Sequence, residues 1–430
     1  MPSSRDPRRT ASPPSTVLSF LILALSAVLP SLGAPTDPLP LRPLSGLPSN
    51  GLSSSGIALG FLPFWSLEGP TEICSALGSC AAVWGDYWNA SPSSYNFEQA
   101  SYHIDEVERV VKGDVKGVYA PAVLFSGRMN EWTEEMSQSL AQTVRGINRR
   151  GVKVWLRWCF EMNGGWMSYG LQPSDYVNTW RSVTNAIRAA TNETYMLWSP
   201  NLWTGNVDDP VQGYTPYWPG ENFVDIVGLS FYSFGPQKSI NKPPSSSLFR
   251  DSFSPFYNLF SPSSSNPLKL TQSYPLIISE TSAPYYYLIP PSSRFYTQAG
   301  DTDLRAPYPN LSTYEPALAH PPYEKSDDEL YSKASWLVQM VGNATAQRFP
   351  NLKAVTWFNY LKKGNGTAEV IADFRFVGGN KTVEGWLRQN LGNQTAYEQG
   401  YTGGGRRLEA TGAFAGAVVV VLVAVLVCAV

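Results

Sequence analysis

Two apolar runs, GVYAPAVLF at residues 117–125 and VKVWLRWCF at residues 152–160, flank a stretch with a helical pattern. That stretch, from Glu131 to Arg150, carries apolar residues at steps of three and four, namely Met136, Leu140, Val144 and Ile147. An apolar strand, a helix and a second apolar strand form the repeating unit of a parallel sheet whose two faces are both covered. This stretch therefore predicts an α/β fold.

The same alternation runs through most of the chain. The other strand-like runs are Ile57 to Trp65, Ala81 to Trp88, Tyr195 to Pro200, Val224 to Tyr232, Leu276 to Ser279 and Ala354 to Asn359. Helical patterns recur from Asp175 to Ala190 and from Ser326 to Phe349. Eight strands predict a single (β/α)8 TIM barrel. A doubly wound open sheet is the alternative, and the lack of a glycine-rich phosphate loop after the first strand disfavours it.

Composition marks the boundaries of this barrel. The segment 35–55 is rich in Ser and Pro and is interpreted as a linker, so the catalytic domain is expected to span residues 56–395. Segments 236–272 and 284–323 are rich in Pro together with Ser or Tyr. We expect them to be long βα loops after strands six and seven, at the barrel face where active sites form.

Glu161 and Glu280 are the most informative single residues. Each is a lone carboxylate at the end of an apolar run that is expected to be a buried strand. Charges are rarely placed there unless they are paired or used in chemistry. Two carboxylates on separate strand ends, among aromatic residues, suit glycoside hydrolysis, with one acid and one nucleophile or base.

Both ends of the chain predict an extracellular location. Arginines precede an apolar run from Val17 to about Leu32 and small residues follow, which predicts a signal peptide over residues 1–34 rather than an N-terminal anchor. At the other end, Gly403 to Gly405 lead into a polar spacer within residues 396–411 and an apolar tail over 412–430. This order predicts a GPI-attachment signal, with a single-span anchor as the alternative. The cell surface or cell wall is the expected location.

Sequons and cysteines agree with secretion. Asn-x-Ser/Thr triplets predict glycosylation at Asn89, Asn192, Asn310, Asn343, Asn365, Asn380 and Asn393. Cys74 and Cys80 are close enough in sequence to form a small disulfide loop in an oxidising compartment. Cys159 is expected to be buried and inert, because only His103 and His320 could serve as its base.

Composition excludes several classes of partner. The formal net charge is −2 and 15% of residues are charged, against about 25% in typical domains. No basic stripe favours nucleic acid. Two histidines and no Cys/His spacing disfavour a zinc site, so neither a metal nor a cofactor is expected. Aromatic residues make up 13% of the chain, which fits a large core and also the stacking platforms of a sugar-binding cleft.

The segment RWCFEMNGGWMSYG, residues 157–170, resembles the fourth-strand signature of glycoside hydrolase family 26, which contains endo-β-1,4-mannanases and related glucanases and xylanases. Weaker matches follow in the family's order: LWSPN ending at Asn201, VDIVGLSFY ending at Tyr232, IISE ending at Glu280, and VTWFN ending at Asn359. The resemblance spans roughly residues 56 to 390. It implies a retaining barrel enzyme with Glu161 as acid/base and Glu280 as nucleophile.

Further residues are expected to line the cleft. Tyr232 could hydrogen-bond Glu280, and Arg157 lies four residues before Glu161 on the same strand face, where it could hold a carboxylate ionised. Trp357 could stack under the sugar at the cleavage point. The remaining expected substrate contacts are Asn163, Trp166 and Tyr169 after Glu161, and Asp86 and Tyr87, which resemble a substrate-contacting pair of the family. For Arg157 and the aromatic residues, an ion pair or core packing is the competing interpretation.

One departure from the family pattern concerns Phe160, because the family usually has His before its acid/base Glu. Phe160 offers an apolar wall, and burial there should raise the pKa of Glu161. The departure leaves the substrate open: β-1,4-mannan is favoured by resemblance alone, with glucan or β-1,3-xylan as alternatives. A monomer acting on polysaccharide is expected. A cell-surface carbohydrate-binding protein on an inactive barrel and a wall-remodelling transglycosylase are the competing hypotheses.

Overall fold

The structure is a computed structural model in which the barrel region is described almost throughout. It describes residues 51–97, 99–112, 117–205, 209, 211–234, 241–262, 265–290, 308–317, 328–363 and 370–392. The chain divides into two compact units, Met1–Pro40 and Leu41–Val430, and every described residue lies in the second. The predicted signal peptide, the spacer and the apolar tail lie outside the described residues. Within the described part, no helix is both long and apolar enough to span a bilayer.

Eight parallel strands form a closed barrel. They are β1 (Ile57–Pro63), β2 (Val83–Ala90), β3 (Val118–Phe125), β4 (Val154–Trp158), β5 (Thr194–Trp198), β6 (Ile226–Ser230), β7 (Leu276–Thr281) and β8 (Leu352–Asn359). Each strand pairs with the next, and β1 closes the ring by pairing with both β8 and β2. The predicted TIM barrel is confirmed, with all eight predicted strands in place.

Helices surround the barrel in the order that the alternation predicts. They are α1 (Pro70–Leu77), α2 (Gln99–Lys112), α3 (Glu134–Arg149), α4 (Pro173–Ala190), α5 (Leu248–Leu259), α6 (Glu329–Val341), α7 (Asn343–Arg348) and α8 (Lys381–Leu387). Between β5 and β6, the described residues contain only two 3-10 turns, Thr215–Tyr217 and Glu221–Phe223.

Strand alternation sorts side chains into two cores. Inside the barrel, Trp155 packs with small and β-branched residues from other strands, including Ala58, Val118 and Ala354. Outside it, Leu156 and Trp158 of the same strand pack against the helix layer, which includes Trp180 of α4. Because Trp155 faces inward, Arg157 two residues later also faces the barrel interior. The alternation of side chains along β4 therefore places the Arg157 guanidinium inside the barrel.

The segment 236–272, expected as a long loop, contains helix α5. Its buried face is mostly aromatic and includes Phe249, Phe253 and Phe256, which are spaced four and three residues apart. Pro255 lies inside the helix, and the surrounding Ser and Pro content concealed the helical period. The loop prediction was therefore wrong for this part, because apolar periodicity outweighed composition.

The loops after β7 and β8 form a small sheet of their own. Strand Tyr285–Leu288, within the predicted loop 284–323, pairs antiparallel with Val370–Asp373, and that strand pairs with Leu361–Lys363. The two loops are therefore joined by backbone hydrogen bonds beside the catalytic face.

The domain begins earlier than the predicted linker boundary allows. Leu52 is fully buried and its N–H donates to the Cys80 carbonyl at 2.9 Å. Ser53–Ser54 then pairs antiparallel with the start of β1. The Cys74–Cys80 disulfide that was predicted is present and links α1 to the turn before β2. Residues 51–55 thus belong to the barrel domain.

Candidate active site

Glu161 lies just past β4, where the chain takes an unusual course. Cys159 has φ of 42° and Glu161 has φ of 55°, both in the left-handed region that non-glycine residues rarely adopt. The Glu161 N–H donates to the Ser199 carbonyl after β5 at 2.8 Å, which holds this conformation. Strained backbone of this kind is typical of functional sites, since the surrounding fold must offset its cost. Glu161 as a whole residue is 7% exposed.

A β-bulge places Glu280 on the same face. Along β8, Val355 pairs with Ile278 and Trp357 pairs with Thr281, so two residues of β7 oppose one residue of β8. Ser279 and Glu280 consequently both face the barrel interior, although they are adjacent in sequence. Simple alternation would have turned one of them toward the helices.

Arg157 joins the two carboxylates. One guanidinium nitrogen, Nη1, pairs with Glu280 Oε2, and Nη2 lies 4.0 Å from Glu161 Oε1. Its other N–H groups donate to Ser199 Oγ at 3.0 Å and to Ser230 Oγ. A buried charge of this kind is tolerated when it is both paired and hydrogen-bonded. The predicted neighbourhood of Arg157 and the carboxylates is confirmed.

The environment of Glu161 favours its protonated form. Burial raises the pKa of Glu161, and the nearby charge of Glu280 raises it further, whereas Arg157 opposes both effects. Hydrogen bonds from Ser230 and from the Trp166 indole also lower this pKa, and the indole N–H donates to Oε2 at 2.7 Å. The predicted direction of the shift is confirmed, with burial as its largest cause.

Glu280 accepts hydrogen bonds from two tyrosines. The Tyr232 hydroxyl donates to Oε1, as predicted, and the Tyr87 hydroxyl also hydrogen-bonds Glu280. Burial and the charge of Glu280 raise the pKa of both phenols well above the usual value, so both remain donors. With Arg157, they surround the Glu280 carboxylate with hydrogen-bond donors.

Phe160, the departure from the family pattern beside Glu161, packs against two residues of the site. The Arg157 guanidinium lies over its ring, 3.9 Å from the centroid, and the Tyr87 ring stacks on it at 5.8 Å. The aromatic face thus supports the cation that pairs with Glu280. Phe160 acts here as a packing surface for Arg157 and Tyr87.

Asp86 lies on the side of β2 that faces the helices, and its partners come from α2 and β3. Its carboxylate accepts from the Tyr119 hydroxyl at 2.5 Å and contacts His103 Nδ1 at 2.8 Å. The His103 ring in turn stacks on Trp65, with centroids 3.8 Å apart. The Asp86 side chain is buried, and its described partners are protein groups, so the expected substrate contact stays a prediction. Sequence reasoning missed Tyr119 and Trp65, which carry no motif.

Two residues that were expected to line the cleft form hydrogen bonds with backbone groups of neighbouring loops. Asn163 forms a pair of 2.8 Å hydrogen bonds with the backbone of Asn201, joining the loops after β4 and β5. The Tyr169 hydroxyl donates to the Phe160 carbonyl at 2.8 Å, and its ring is fully buried. Both residues fix the course of the chain around Glu161, and a direct role in substrate binding stays a prediction for each.

The expected stacking role of Trp357 is wrong. Its side chain is 0% exposed and packs edge-on against Phe376 in the outer core, while its indole N–H donates to the Phe374 carbonyl. Strand parity explains the difference, since Val355 and Trp357 face the helices and Phe358 faces the mouth, where it packs edge-on against Tyr232.

Three serines of the site were missed as functional residues. Ser199 and Ser230 accept from Arg157, and Ser279 Oγ lies 2.6 Å from Ser199 Oγ. Each comes directly after apolar residues in the sequence, and a small polar residue in that position was the available signal. Together these hydroxyls satisfy the buried guanidinium.

An open cleft of about 460 Å³ lies beside Trp166. Trp166 is 59% exposed, so one face is free to stack while its N–H contacts Glu161. The other walls come from the ends of β2 and β3 and the loop after β4; they are Asn89, Ala90, Ser91, Ser94, Leu124, Phe125, Ser126, Met167 and Ser168. Of the expected substrate contacts, Trp166 is the one most openly placed in this cleft.

Sequence comparison agrees with this geometry. The model of the family "Glycosyl hydrolase family 26" matches residues 119–289, a stretch that contains Arg157, Glu161, Tyr232 and Glu280. Over this stretch the chain resembles glycosyl hydrolase family 26. The resemblance expected from the fourth-strand motif is thereby confirmed.

Individual relatives match over short stretches. Mannan endo-1,4-beta-mannosidase A and B of Caldalkalibacillus mannanilyticus is 27% identical over 110 residues, covering 23% of this chain and 20% of that protein. Endoglucanase H of Acetivibrio thermocellus is 30% identical over 106 residues, covering 23% and 12%. A beta-1,3-xylanase of Alcaligenes sp. is 30% identical over 131 residues, covering 28% and 26%. The alignments therefore span about a quarter or less of each of these relatives.

Solved structures resemble the chain weakly. The modular endo-β-1,4-mannanase of Cellulomonas fimi aligns over 77% of this chain and 70% of its own, with a TM-score of 0.46 and 14% identity. The GH26 catalytic domain from Bacillus sp. JAMB-750 covers 78% and 85%, with a TM-score of 0.45 and 14% identity. Similarity at this level adds nothing to the functional argument.

Proposed function

We propose that the protein is a retaining endo-glycoside hydrolase that cleaves a β-linked polysaccharide, with β-1,4-mannan as the preferred substrate. The observation that carries this proposal is the pair Glu161 and Glu280, held at the barrel mouth by the single cation Arg157. The two carboxylates have different surroundings, which is how one acid and one nucleophile are set apart in a glycosidase.

In the first step, Glu161 acts as the acid. The raised pKa of Glu161 favours its protonated form, which donates a proton to the glycosidic oxygen as the bond to the anomeric carbon breaks. Glu280, paired with Arg157 and hydrogen-bonded by Tyr232, attacks that carbon and forms a glycosyl ester.

In the second step, Glu161 acts as the base. Esterification removes the negative charge of Glu280, which is the second largest cause of the raised pKa of Glu161. The pKa of Glu161 then falls, so its carboxylate can deprotonate the water that attacks the ester. The same coupling resets the acid when the product leaves.

The choice of mannan rests on the relatives. Two of them are named as mannan endo-1,4-beta-mannosidases, one from Caldalkalibacillus mannanilyticus and one from Bacillus subtilis. Others are named as an endoglucanase and a beta-1,3-xylanase, so glucan and xylan belong in any test of the substrate. The open cleft beside Trp166 is consistent with a polymer that enters from the side.

We also propose that the protein is secreted and held at the cell surface. The apolar run with preceding arginines near the N-terminus and the small-residue, spacer and apolar-tail order at the C-terminus support this location. The Cys74–Cys80 disulfide agrees with an oxidising compartment.

The direct test is release of reducing sugar from β-mannan, β-glucan and β-xylan by the wild type and by Glu161→Gln and Glu280→Gln. Loss of the acid is expected to cost about 10²- to 10⁴-fold in kcat, and loss of the nucleophile should abolish turnover. Both variants should still bind the polymer in affinity electrophoresis. Activity of either variant equal to wild type would contradict the assignment of roles.

Two other outcomes select the competing functions. Binding of polymer by the wild type with no release from any substrate would identify a carbohydrate-binding protein, which the Phe160 substitution at the acid/base motif favours. Longer oligosaccharides appearing on addition of an acceptor would identify a transglycosylase, because the same glycosyl ester can be opened by a sugar hydroxyl in place of water.

A further inference from the structure

The predicted glycosylation sites fall on different faces of the barrel. Asn192 lies between α4 and β5, and Asn343 begins α7 before β8, so both are exposed on the face opposite the catalytic one. Asn89 lies at the catalytic end of β2 and is exposed as well. Asn365 and Asn393 lie outside the described residues.

Asn380 is a poor acceptor in the folded protein. Its Nδ2, the atom that would carry a glycan, donates to the buried Glu329 at 2.9 Å, and its Oδ1 accepts from Thr382 N–H to cap α8. Asn89 differs, since no described group engages its amide and its side chain faces the open cleft. The Asn89 side chain is therefore accessible for glycosylation in the folded protein, whereas the Asn380 side chain is not.

Asn89 forms one wall of the cleft in which Trp166 and Met167 form another. Trp166 is the residue whose N–H contacts Glu161 at 2.7 Å. The cleft volume, about 460 Å³, is in the range of sites that hold a few sugar-sized groups. A branched sugar attached to Asn89 would start at this cleft, because Asn89 is part of its wall.

We infer that Asn89 carries an N-linked glycan that fills the cleft beside Trp166 and restricts access of polysaccharide to Glu161. The inference rests on the proposed secretion, since the secretory route supplies the lipid-diphosphate-linked oligosaccharide donor. The Asn89 Nδ2 bonds to C1 of the donor sugar, the bond from C1 to the diphosphate oxygen breaks, and the lipid diphosphate and one amide proton are released. No oxidation or reduction occurs.

The consequence is an enzyme whose activity depends on how it was glycosylated. A glycan at this position would exclude the polymer sterically without altering Arg157, Glu161 or Glu280. Glycans at Asn192 or Asn343 would leave the cleft open because they lie at the other end of the barrel. These two positions provide matched controls.

The test uses the full chain secreted from yeast, as wild type, Asn89→Gln, Ser91→Ala and Asn192→Gln. Ser91→Ala removes the sequon but keeps the Asn89 amide, and it also serves if Asn89→Gln is not secreted. Glycopeptide mass spectrometry gives the occupancy of Asn89. Hydroxyl-radical oxidation, read on the peptide containing Trp166, gives access to the cleft independently of any activity.

We expect Asn89 to be occupied, and Trp166 to oxidise severalfold faster in Asn89→Gln and in Ser91→Ala than in wild type or Asn192→Gln. The kcat/KM for polysaccharide should rise in the same two variants. An unoccupied Asn89, or an occupied one with an unchanged rate of Trp166 oxidation, would overturn the inference. If no polymer is hydrolysed even by Asn89→Gln and Ser91→Ala, the proposed function fails, while occupancy of Asn89 and oxidation of Trp166 still decide whether a glycan fills the cleft.

Discussion

At the scale of single residues, the site separates two carboxylates by their neighbours. Burial and the like charge of Glu280 both disfavour the ionised form of Glu161. Glu280, in contrast, contacts the Arg157 cation and two tyrosine hydroxyls. Trp166 is the residue that couples the acid to the open cleft, because its indole N–H contacts Glu161 and its ring is exposed. Its polar and apolar functions can be tested separately.

Replacing Trp166 with Phe keeps an aromatic ring but removes the N–H donor. That hydrogen bond lowers the pKa of Glu161, so its loss should raise this pKa further. Since Glu161 must be protonated to act as the acid, the alkaline limb of the kcat/KM profile should move to higher pH. Met167→Leu, in the same cleft wall, is the control and should leave the limb in place; an unchanged or lowered limb in Trp166→Phe would contradict this assignment.

Residue-level prediction from sequence succeeded where spacing alone decides side-chain direction. Arg157 and Glu161 were expected on one face, and Tyr232 was expected at Glu280, as observed. Trp357 was assigned to the cleft because it stands in a matching motif, but strand parity directs it to the helices. A motif gives the order of residues along the chain. The side of the sheet that each side chain faces depends on its position in the alternation of the strand and on β-bulges.

At the scale of elements, irregularities in the strands build the site. The bulge in β7 turns Glu280 inward beside Ser279, and left-handed residues after β4 place Glu161 opposite. Neither feature could be predicted from sequence, because a bulge depends on pairing with β8 and φ depends on the contact with Ser199. Helix α5 was missed for a different reason, since Ser and Pro masked its aromatic period.

A buried charged cluster ties the loop after β1 to the loop after β8. Asn359 at the end of β8 donates to Glu68, and Arg375 forms a two-point ion pair with Asp373 at 2.9 Å. Burial raises the pKa of Glu68 to about 8; the charge of Arg375 opposes this shift and that of Asp373 adds to it. Glu68 is therefore mostly protonated at neutral pH.

The raised pKa of Glu68 makes stability depend on pH. A carboxyl whose folded pKa is about 8 against an ordinary value of 4.5 stabilises the fold below pH 4.5, and this contribution is lost as pH rises through 8. Glu68→Gln should therefore flatten the dependence of the unfolding free energy on pH across this window. Urea denaturation at several pH values measures it, with the exposed Glu193→Gln as control. A slope in Glu68→Gln as steep as in wild type would refute the prediction.

At the scale of the whole molecule, the barrel was predictable because eight apolar runs alternate with helical patterns, and burial enforces that alternation. The start of the domain was predicted less well: it was expected at residue 56, whereas Leu52 is already buried in the fold. A closed barrel gathers eight strand ends on one face, which brings residues from β2, β4, β6 and β7 together around Glu280. The reaction proposed for that face is a double displacement.

The stereochemistry of the first product tests this central claim most directly. Proton NMR during cleavage of the β-linked oligosaccharide that the enzyme hydrolyses fastest shows which anomer is released before mutarotation. Attack by Glu280 followed by attack of water inverts the anomeric carbon twice, so the account predicts that the β anomer appears first. Initial release of the α anomer would mean a single displacement and would contradict the role assigned to Glu280.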